Sequence, residues 1–271
     1  MEHRIGFMQG RLLSDNTNKI QNFPDINWKN EIYIASLLGY KIMEWTINKS
    51  NIKKNPLFNG KIKDLNNLLR KLKVKINSIT CDYLMEDPFF KKKNKNKKRL
   101  ILSNINKIIK NSQKCGIKFI VLPLVDGSSL KNRIEEKILI QEIINLLKKN
   151  KKIIILFESD YRPVKLLKFI ERFNSKKVGI NYDTGNSASL NYNMKDEMIY
   201  FDHVKNIHIK DRLKFGNTTK LGTGNWNYKK FAKLLKKTKY KGNFILQTAR
   251  SNKNNDIEEL QKNKEFLLKL L

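Results

Sequence analysis

Short apolar runs alternate with amphipathic stretches along the whole sequence, and no other feature restricts the available folds as strongly. The runs are rich in β-branched residues and have the length of buried strands. The stretches between them carry apolar residues at i, i+3 and i+4, which is typical of helices. Gly39 and Gly116 follow two of these stretches, where a left-handed residue commonly ends a helix. The sequence therefore predicts eight strands, each followed by a helix.

The predicted elements succeed one another without a long Pro-, Gly- or Ser-rich connection. The predicted strands are Ile5–Gln9, Ile42–Thr46, Ile76–Cys81, Phe119–Pro123, Ile153–Glu158, Val178–Asp183, Asn206–Lys210 and Phe244–Thr248. The predicted helices are Trp28–Leu38, Ile62–Leu72, Leu100–Lys114, Ile134–Lys149, Val164–Phe173, Lys195–Phe201, Tyr228–Lys237 and Ile257–Leu271.

This order and count predict an α/β fold, a single (β/α)8 TIM barrel that forms one domain over residues 1–271. The alternative is an open, doubly wound parallel sheet. That fold would favour a glycine-rich turn after the first strand, and Met8-Gln9-Gly10-Arg11 does not have the GxGxxG pattern. The barrel is the better interpretation.

Secreted, disulfide-rich and membrane-spanning classes do not fit the sequence. The segment Met1–Gly10 lacks the apolar core of a signal peptide. No apolar run approaches the roughly 18 residues that a membrane span requires. The two cysteines, Cys81 and Cys115, do not suggest a disulfide framework. We expect a soluble, cytoplasmic protein without a membrane partner.

The chain is strongly basic, with 56 Lys and Arg against 25 Asp and Glu, a formal charge of +31. Such a charge suggests a nucleic-acid or anionic-surface binder. Lysines are nevertheless spread over most helical segments, and Asn and Ile are also abundant. All three residues have AT-rich codons, which indicates a drift in composition instead of selection for a basic surface. The densest run, 91–98, contains no aromatic residue for stacking against bases. We favour drift over nucleic-acid binding. The positive electrostatic field of such a chain would also attract a small anionic substrate such as a sugar phosphate.

Polar side chains gather where the predicted strands end, which is where the active site of a barrel lies. A strand with a purely structural role would remain apolar there. The candidate substrate-binding residues on these strands or just after them are Gln9, Arg11, Glu44, Asp82, Asn186, Lys210, Asp211, Arg212 and Arg250.

Four further polar residues come from the last four strands: Glu158, Asp183, His208 and Gln247. Each alone has a structural explanation, since Asp183 could cap a helix and His208 could be a core histidine. Together they form an oxygen-rich ligand set for a divalent metal ion. Mn²⁺, Mg²⁺ and Co²⁺ are favoured, with Zn²⁺ as an alternative. Four protein ligands leave room for a substrate that chelates through two oxygens.

Six short motifs at these strand ends resemble the sugar phosphate isomerase/epimerase family, the xylose-isomerase-like TIM barrels. They are Met8-Gln9-Gly10-Arg11-Leu12, Phe157-Glu158-Ser159-Asp160, Tyr182-Asp183-Thr184-Gly185-Asn186, His208-Ile209-Lys210-Asp211-Arg212, Leu221-Gly222-Thr223-Gly224-Asn225 and Leu246-Gln247-Thr248-Ala249-Arg250. Each motif is weak, but their order covers nearly the whole chain. The resemblance implies that a Glu, an Asp, a His and a second Glu hold one divalent metal, with both glutamates acting as acid/base groups.

On this sequence Glu158, Asp183 and His208 match the implied ligands, and Arg212 matches a substrate-contacting position. Two positions depart from the family pattern. Gln247 replaces the second Glu, and an amide cannot accept a proton at neutral pH. Asn186 stands where family members often have His, so we expect a different contact to substrate there.

We expect Glu158 to be the catalytic base, removing the proton between a carbonyl and an adjacent hydroxyl to give an enediolate. One base suffices for aldose–ketose isomerisation. Epimerisation needs a second group on the opposite face, for which Asp82, Asp211 and Glu44 are the candidates. The turn of Gly222 and Gly224 suggests backbone N–H groups for a phosphate.

The function indicated is a metal-dependent isomerase or epimerase of a sugar or sugar phosphate. The alternatives are a metal-dependent dehydratase of a cyclic polyol or keto acid and a non-catalytic sugar-binding barrel.

An apurinic-site endonuclease would need several histidines for a trinuclear zinc site, and only His3, His203 and His208 are present. The expected partner is a small-molecule sugar, and family analogy leaves a homo-oligomer open.

Overall fold

Eight parallel strands close into one barrel in the computed structural model, which describes residues 2–13, 21–251 and 255–271. The barrel strands are β1 (Ile5–Met8), β2 (Ile42–Thr46), β3 (Lys75–Thr80), β4 (Phe119–Leu124), β5 (Ile154–Ser159), β6 (Val178–Asp183), β7 (Val204–Ile209) and β10 (Asn243–Leu246). Two short strands, β8 (Asp211–Arg212) and β9 (Thr218–Thr219), pair separately as an antiparallel ribbon. The expected (β/α)8 barrel is confirmed.

At least one helix follows every barrel strand within the described residues. These helices are α1 (Trp28–Leu37), α2 (Pro56–Asn59), α3 (Ile62–Leu72), α4 (Asp82–Glu86), α5 (Lys95–Lys114), α6 (Arg133–Lys149), α7 (Pro163–Glu171), α8 (Thr184–Ser189), α9 (Met194–Glu197), α10 (Tyr228–Leu235) and α11 (Asp256–Leu270). No helix of this part of the chain combines the length and apolar character that crossing a bilayer requires.

The start of α5 and the segment after β6 are among the parts that differ from the prediction, and polar side chains cap the helices in both places. α5 begins at Lys95 instead of Leu100, since Asn94 accepts a hydrogen bond from the backbone N–H of Lys97 at 3.0 Å. After β6, α8 begins at once, α9 follows, and the 3-10 turn Met198–His203 completes the segment. A single helix over Lys195–Phe201 was expected there, and α8 was not predicted.

The barrel closes because β1 pairs with β10 on one side and with β2 on the other. The register of the strands shifts between Met43 and Glu44 on β2 and between Ile180 and Asn181 on β6. Such bulges redirect side chains and are frequent beside active sites. Glu44 and Asn181 are both buried, and both hydrogen-bond with Asn206.

Aromatic side chains on the outside of the barrel determine which residues face its interior. The ring of Phe157 on β5 lies 5.2 Å from that of Phe169 on α7. The ring of Tyr182 on β6 lies 5.8 Å from that of Phe231 on α10. Because side chains alternate along a strand, the residues that follow Phe157 and Tyr182 point inward. Those residues are Glu158 and Asp183, so packing against the helices directs both carboxylates to the barrel mouth.

Candidate metal centre

Three buried side chains converge at the carboxyl ends of β5, β6 and β7. Glu158, Asp183 and His208 each offer one ligand atom, and these atoms lie within 4.8 Å of one another. Asp183 is directly opposite His208 in the β6–β7 ladder, so neighbouring strands present them side by side. The structure thus brings together three of the four residues that the sequence predicts as metal ligands.

The two oxygens of Asp183 have different environments. Oδ1 accepts the backbone N–H of Asn186 at 2.8 Å and so caps α8. Oδ2 is buried without a hydrogen-bond partner among the described residues, and Lys210 Nζ lies 4.0 Å from it. Burial raises the pKa of Asp183, while the charge of Lys210 opposes that shift. A helix cap and an oxygen available to a ligand therefore coexist in one side chain.

The imidazole of His208 contacts Glu44 through one nitrogen and points the other toward Glu158 and Asp183. Nε2 lies 2.7 Å from Glu44 Oε1, within hydrogen-bond distance. Nδ1 lies 3.1 Å from Glu158 Oε2 and 4.0 Å from Asp183 Oδ2, but makes no hydrogen bond to the described residues. Burial would lower the pKa of His208, yet the charges of Glu44 and Glu158 outweigh burial and raise it to about 10.

A chain of buried polar side chains links Glu158 to His208 through the barrel interior. Asn181 Nδ2 donates to Glu158 Oε2 at 3.0 Å. Asn206 Nδ2 donates to Asn181 Oδ1 and to Glu44 Oε2, each at 2.8 Å. Glu44 then contacts His208, which returns the chain to the metal centre. Glu44 therefore lies beneath the ligands and orients one of them, as residues behind a metal ligand commonly do.

Three members of this interior network were missed by sequence reasoning: Ser78, Asn181 and Asn206. Ser78 Oγ donates to Glu44 Oε2 at 2.5 Å. A signal for the two asparagines does exist, because each precedes a predicted metal ligand by two residues. A period of two places both members of such a pair on the same face of a strand.

Gln247 directly follows β10. Its backbone N–H donates to the carbonyl of Ile209 at 3.0 Å, so it continues the hydrogen bonding between β10 and β7. Its side-chain Nε2 donates to Gln21 Oε1 at 2.5 Å. Its Oε1 is buried and has no hydrogen-bond partner among the described residues. An amide oxygen is a suitable ligand for a hard divalent cation.

Three of the four predicted ligands thus have a buried ligand atom that makes no hydrogen bond to the described residues: Asp183 Oδ2, His208 Nδ1 and Gln247 Oε1. Buried polar atoms are nearly always paired, so these three require an explanation. A divalent cation provides one because it binds oxygen and nitrogen together. Glu158 can join them, since a carboxylate oxygen that accepts one hydrogen bond retains another lone pair. The residues present therefore fit a single divalent cation.

A cavity of about 480 Å³ opens at this end of the barrel. Its described walls include six of the predicted site residues: Asp82, Glu158, Asn186, Lys210, Arg212 and Gln247. Asn186 Nδ2 donates to Glu158 Oε1 at 2.7 Å, and Arg212 Nη1 donates to Asn186 Oδ1 at 3.3 Å. Asn186 therefore connects the predicted base to a cationic side chain on the cavity wall.

Asp82, at the start of α4, is buried although it lines this cavity. Gln21 Nε2 donates to its Oδ2 at 2.5 Å, and Thr80 Oγ1 donates to its Oδ1 at 3.4 Å. Burial, which outweighs the hydrogen bond from Gln21, raises the pKa of Asp82 to about 6. For Glu158 burial also favours a higher pKa, but His208 and Lys210 reverse the shift and lower it. The pKa values of Asp82 and Glu158, the two buried carboxyl groups of the described wall, are therefore shifted in opposite directions.

Asp211 begins the short strand β8 after β7 and accepts hydrogen bonds from backbone N–H groups of the segment that follows it. Its Oδ1 accepts from Arg212 at 3.0 Å and from Trp226 at 3.1 Å. Its Oδ2 accepts from Gly222 at 2.9 Å and from Gly224 at 3.0 Å. The expectation that this glycine turn receives a phosphate is wrong, because the anion bound there is the protein's own carboxylate. This arrangement gives Asp211 a structural role instead of the expected contact with substrate.

Replacing Asp211 with Ala is expected to lower the free energy of unfolding by about 3 kcal/mol, since several hydrogen bonds to a charged acceptor are lost. Urea denaturation followed by circular dichroism would measure this change. Asp202→Ala, at an exposed position, is the matched control and should change stability little. A loss below about 1 kcal/mol in the Asp211 variant would contradict the assigned role.

Three of the remaining predicted residues, Gln9, Arg11 and Arg250, are buried or half-buried. Gln9 is fully buried, and its Oε1 accepts the backbone N–H of Thr46 at 3.0 Å. Arg250 Nη1 donates to Asp256 Oδ2 at 3.1 Å and so anchors the start of α11. Arg11 is buried, and burial, reinforced by the charge of Arg250, lowers its pKa to about 9.

Comparison with known proteins gives one family and a set of similar structures. The sequence matches the profile of the xylose isomerase-like TIM barrel family over residues 32–270. No curated protein matches it.

Three of the similar solved structures cover almost the whole chain. D-allulose 3-epimerase from Methylomonas sp., in complex with D-allulose, has a TM-score of 0.76 and 14% identity over 99% of this chain and 97% of that one. The IolI protein with a bound zinc atom has a TM-score of 0.76 and 14% identity over 98% and 97%. A xylose isomerase-like TIM barrel protein from Mycobacterium smegmatis, in complex with magnesium, has a TM-score of 0.68 and 16% identity over 98% and 96%. At these identities the likeness shows a shared fold.

Proposed function

The chain belongs to the xylose isomerase-like TIM barrel family, and from this premise we propose that it is a metal-dependent isomerase or epimerase of a sugar or sugar phosphate. One observation supports the proposal above all others. Ligand atoms of Glu158, Asp183 and His208 lie within 4.8 Å of one another at the carboxyl end of the barrel, where Glu158 and Gln247 line a cavity.

The proposed metal is a hard divalent cation held by Glu158, Asp183, His208 and Gln247. Oxygen atoms dominate this ligand set, which favours Mn²⁺, Mg²⁺ or Co²⁺ and keeps Zn²⁺ as an alternative. The zinc in IolI and the magnesium in the mycobacterial barrel support a divalent ion in this fold. When bound, such an ion would supply the positive charge that stabilises a developing oxyanion.

Glu158 is the proposed base. Asn186 and Asn181 each donate to one of its oxygens, so the carboxylate has a fixed orientation at the cavity wall. Its lowered pKa keeps it ionised and able to accept a proton at neutral pH, although burial works against this. We propose that it takes the proton from the carbon between a carbonyl and a hydroxyl group, which gives an enediolate.

The proposed substrate is a sugar or sugar phosphate with a hydroxyl next to its carbonyl. Lys210 and Arg212 line the cavity and are the groups proposed to contact its oxygen atoms or a phosphate. The glycine turn after β7 is not the phosphate site, because Asp211 occupies its N–H groups. The D-allulose bound to the structurally similar epimerase supports a sugar of this class.

A dehydratase acting on a cyclic polyol or keto acid is the second candidate, and Gln247 is the observation that favours it. With an amide at this position, Glu158 is the one member of the ligand set that is both a carboxylate and part of the described cavity wall. Dehydration can begin with one such base. The product distinguishes the reactions, because dehydration loses water and forms an ultraviolet-absorbing enone, whereas isomerisation leaves the mass unchanged.

Removing the metal is expected to abolish proton exchange. Protein treated with EDTA should no longer incorporate solvent deuterium into ketose sugars or their phosphates, and added Mn²⁺ should restore the incorporation. Nuclear magnetic resonance would follow the exchange, and elemental analysis would give the metal content. Exchange that survives complete metal removal would contradict the proposal. A non-catalytic sugar-binding barrel would show no exchange with any metal.

A further inference from the structure

Inversion at a carbon requires proton transfer on both faces of the substrate. Glu158 can act on one face, but the amide of Gln247 cannot carry a proton at neutral pH. If the site epimerises its substrate, another group must serve the second face. The structure distinguishes among the remaining carboxyl groups at this end of the barrel.

Two of these carboxyl groups are fully engaged in holding the structure. Glu44 is completely buried beneath His208, and both of its oxygens contact neighbouring polar side chains. Asp211 is completely buried as well, and four backbone N–H groups surround its carboxylate. Neither belongs to the described wall of the cavity. Neither can therefore reach a substrate there without losing these contacts.

Asp82 has the position that the other two lack. It lines the cavity together with Glu158 and Gln247, yet only 3% of its surface is exposed. It follows β3, which lies across the eight-stranded ring from β7, the strand of His208. A substrate bound at the metal centre would therefore lie between the ligand set and Asp82. The other carboxylates of the described wall, Glu86 and Asp126, are exposed to solvent.

The surroundings of Asp82 suit a group that exchanges a proton. Its described partners are the amide of Gln21 and the hydroxyl of Thr80, and the ion pairs of the described residues do not include it. Gln21 also accepts a hydrogen bond from Gln247, so these side chains form a bridge from the end of β3 to the end of β10. Burial raises the pKa of Asp82 to about 6, which allows both protonation states near neutral pH.

We propose that Asp82 is the second proton-transfer group of this site and that, with Glu158, it makes the enzyme a two-base epimerase. This inference rests on the proposed function, which it narrows from isomerisation or epimerisation to epimerisation.

Protons and electrons balance in the proposed reaction. The C–H bond beside the carbonyl breaks, its proton goes to Glu158, and its electron pair forms the enediolate double bond while the carbonyl oxygen becomes negative. The carboxylic acid of Asp82 then gives its proton to the same carbon on the other face, which restores the carbonyl. Glu158 ends protonated and Asp82 ionised, and exchange with water returns both to their starting states. The reverse reaction uses the same groups in exchanged roles.

The test compares proton exchange with inversion in the Mn²⁺-loaded protein in D₂O, with D-ketohexoses and their phosphates as probes. In Asp82→Asn, inversion is expected to fall by about hundredfold or more, as for loss of a general acid. Deuterium incorporation with retained configuration should remain within about tenfold, because Glu158 still removes and returns a proton on its own face. Asp82→Glu, which keeps the carboxyl group, should recover part of the inversion.

Two measurements show that the variant is folded and that Asp82 is not a metal ligand. Mn²⁺ affinity should be unchanged in Asp82→Asn. The variant should also unfold at no lower temperature at pH 8. The pKa of Asp82 in the folded protein is about 6, above its ordinary value of 3.8. Ionisation of this carboxyl group therefore lowers the free energy of unfolding as the pH rises from about 4 to 6. Asn does not ionise, so the variant avoids this loss at pH 8. Asp87→Asn, in the same segment but outside the described cavity wall, is the matched control for the substitution.

Three outcomes would overturn the inference. Inversion and exchange could fall together in Asp82→Asn, or both could persist, or the unmodified protein could isomerise its substrate without inverting a carbon. In each case the unmodified, metal-loaded protein still exchanges protons with its substrate, so the proposed function stands. If the unmodified, metal-loaded protein exchanges no proton with any probe, the proposed function fails and this inference fails with it.

Discussion

Replacing Glu158 with Gln is expected to lower metal-dependent deuterium exchange by about 10³-fold, which is within the range for loss of a positioned general base. The two side chains have nearly the same shape, and Gln keeps one oxygen that can bind a cation. The change removes the group that accepts a proton from carbon. Exchange followed by nuclear magnetic resonance, at saturating Mn²⁺, would measure the effect.

The metal content of the Glu158→Gln protein separates loss of the base from loss of the ion. We expect the variant to bind Mn²⁺, with lower affinity, and to remain inactive when saturated. Glu197→Gln provides a matched control, because Glu197 is also buried but hydrogen-bonds with Tyr182, Ser187 and Tyr200. That variant should retain exchange. Full activity in the saturated Glu158 variant would disprove the assignment of the base.

Replacing Glu44 with Gln is expected to weaken metal binding by about 10- to 100-fold, the usual effect of altering a partner behind a metal ligand. Glu44 Oε1 lies 2.7 Å from His208 Nε2, which leaves Nδ1 available at the ligand cluster. An amide in this place removes the negative charge that favours the imidazole as a ligand and disturbs the bonds to Ser78 and Asn206. Isothermal titration calorimetry with Mn²⁺ would measure the change in affinity.

Glu31→Gln is a suitable control for the Glu44 variant. Glu31 is equally buried, but it accepts the backbone N–H groups of Gly10 and Leu12, and none of its described hydrogen bonds involves His208. Its substitution should leave Mn²⁺ affinity nearly unchanged. Equal affinity in the Glu44→Gln and unmodified proteins would show that Glu44 does not position the ligand.

Periodic patterns were enough to predict the barrel. Buried strands and amphipathic helices differ in the spacing of their apolar residues, and that spacing can be read from neighbouring positions alone. The ends of the helices were less predictable. The side chain of Asn94 caps α5 and starts it at Lys95, earlier than the apolar pattern indicated.

Order and periodicity along the chain were enough to predict the eight-stranded barrel and to place Glu158, Asp183, His208 and Gln247 near the ends of its last four strands. What each polar group does depends on contacts that form only in the folded chain. Glu44 lies within β2 and Asp82 follows β3, and both are carboxyl groups, but Glu44 contacts His208, which lies 164 residues away, whereas Asp82 faces the cavity. Hydrogen-bond partners and burial determine whether a carboxylate is structural or available to a substrate, and distant segments of the chain supply both.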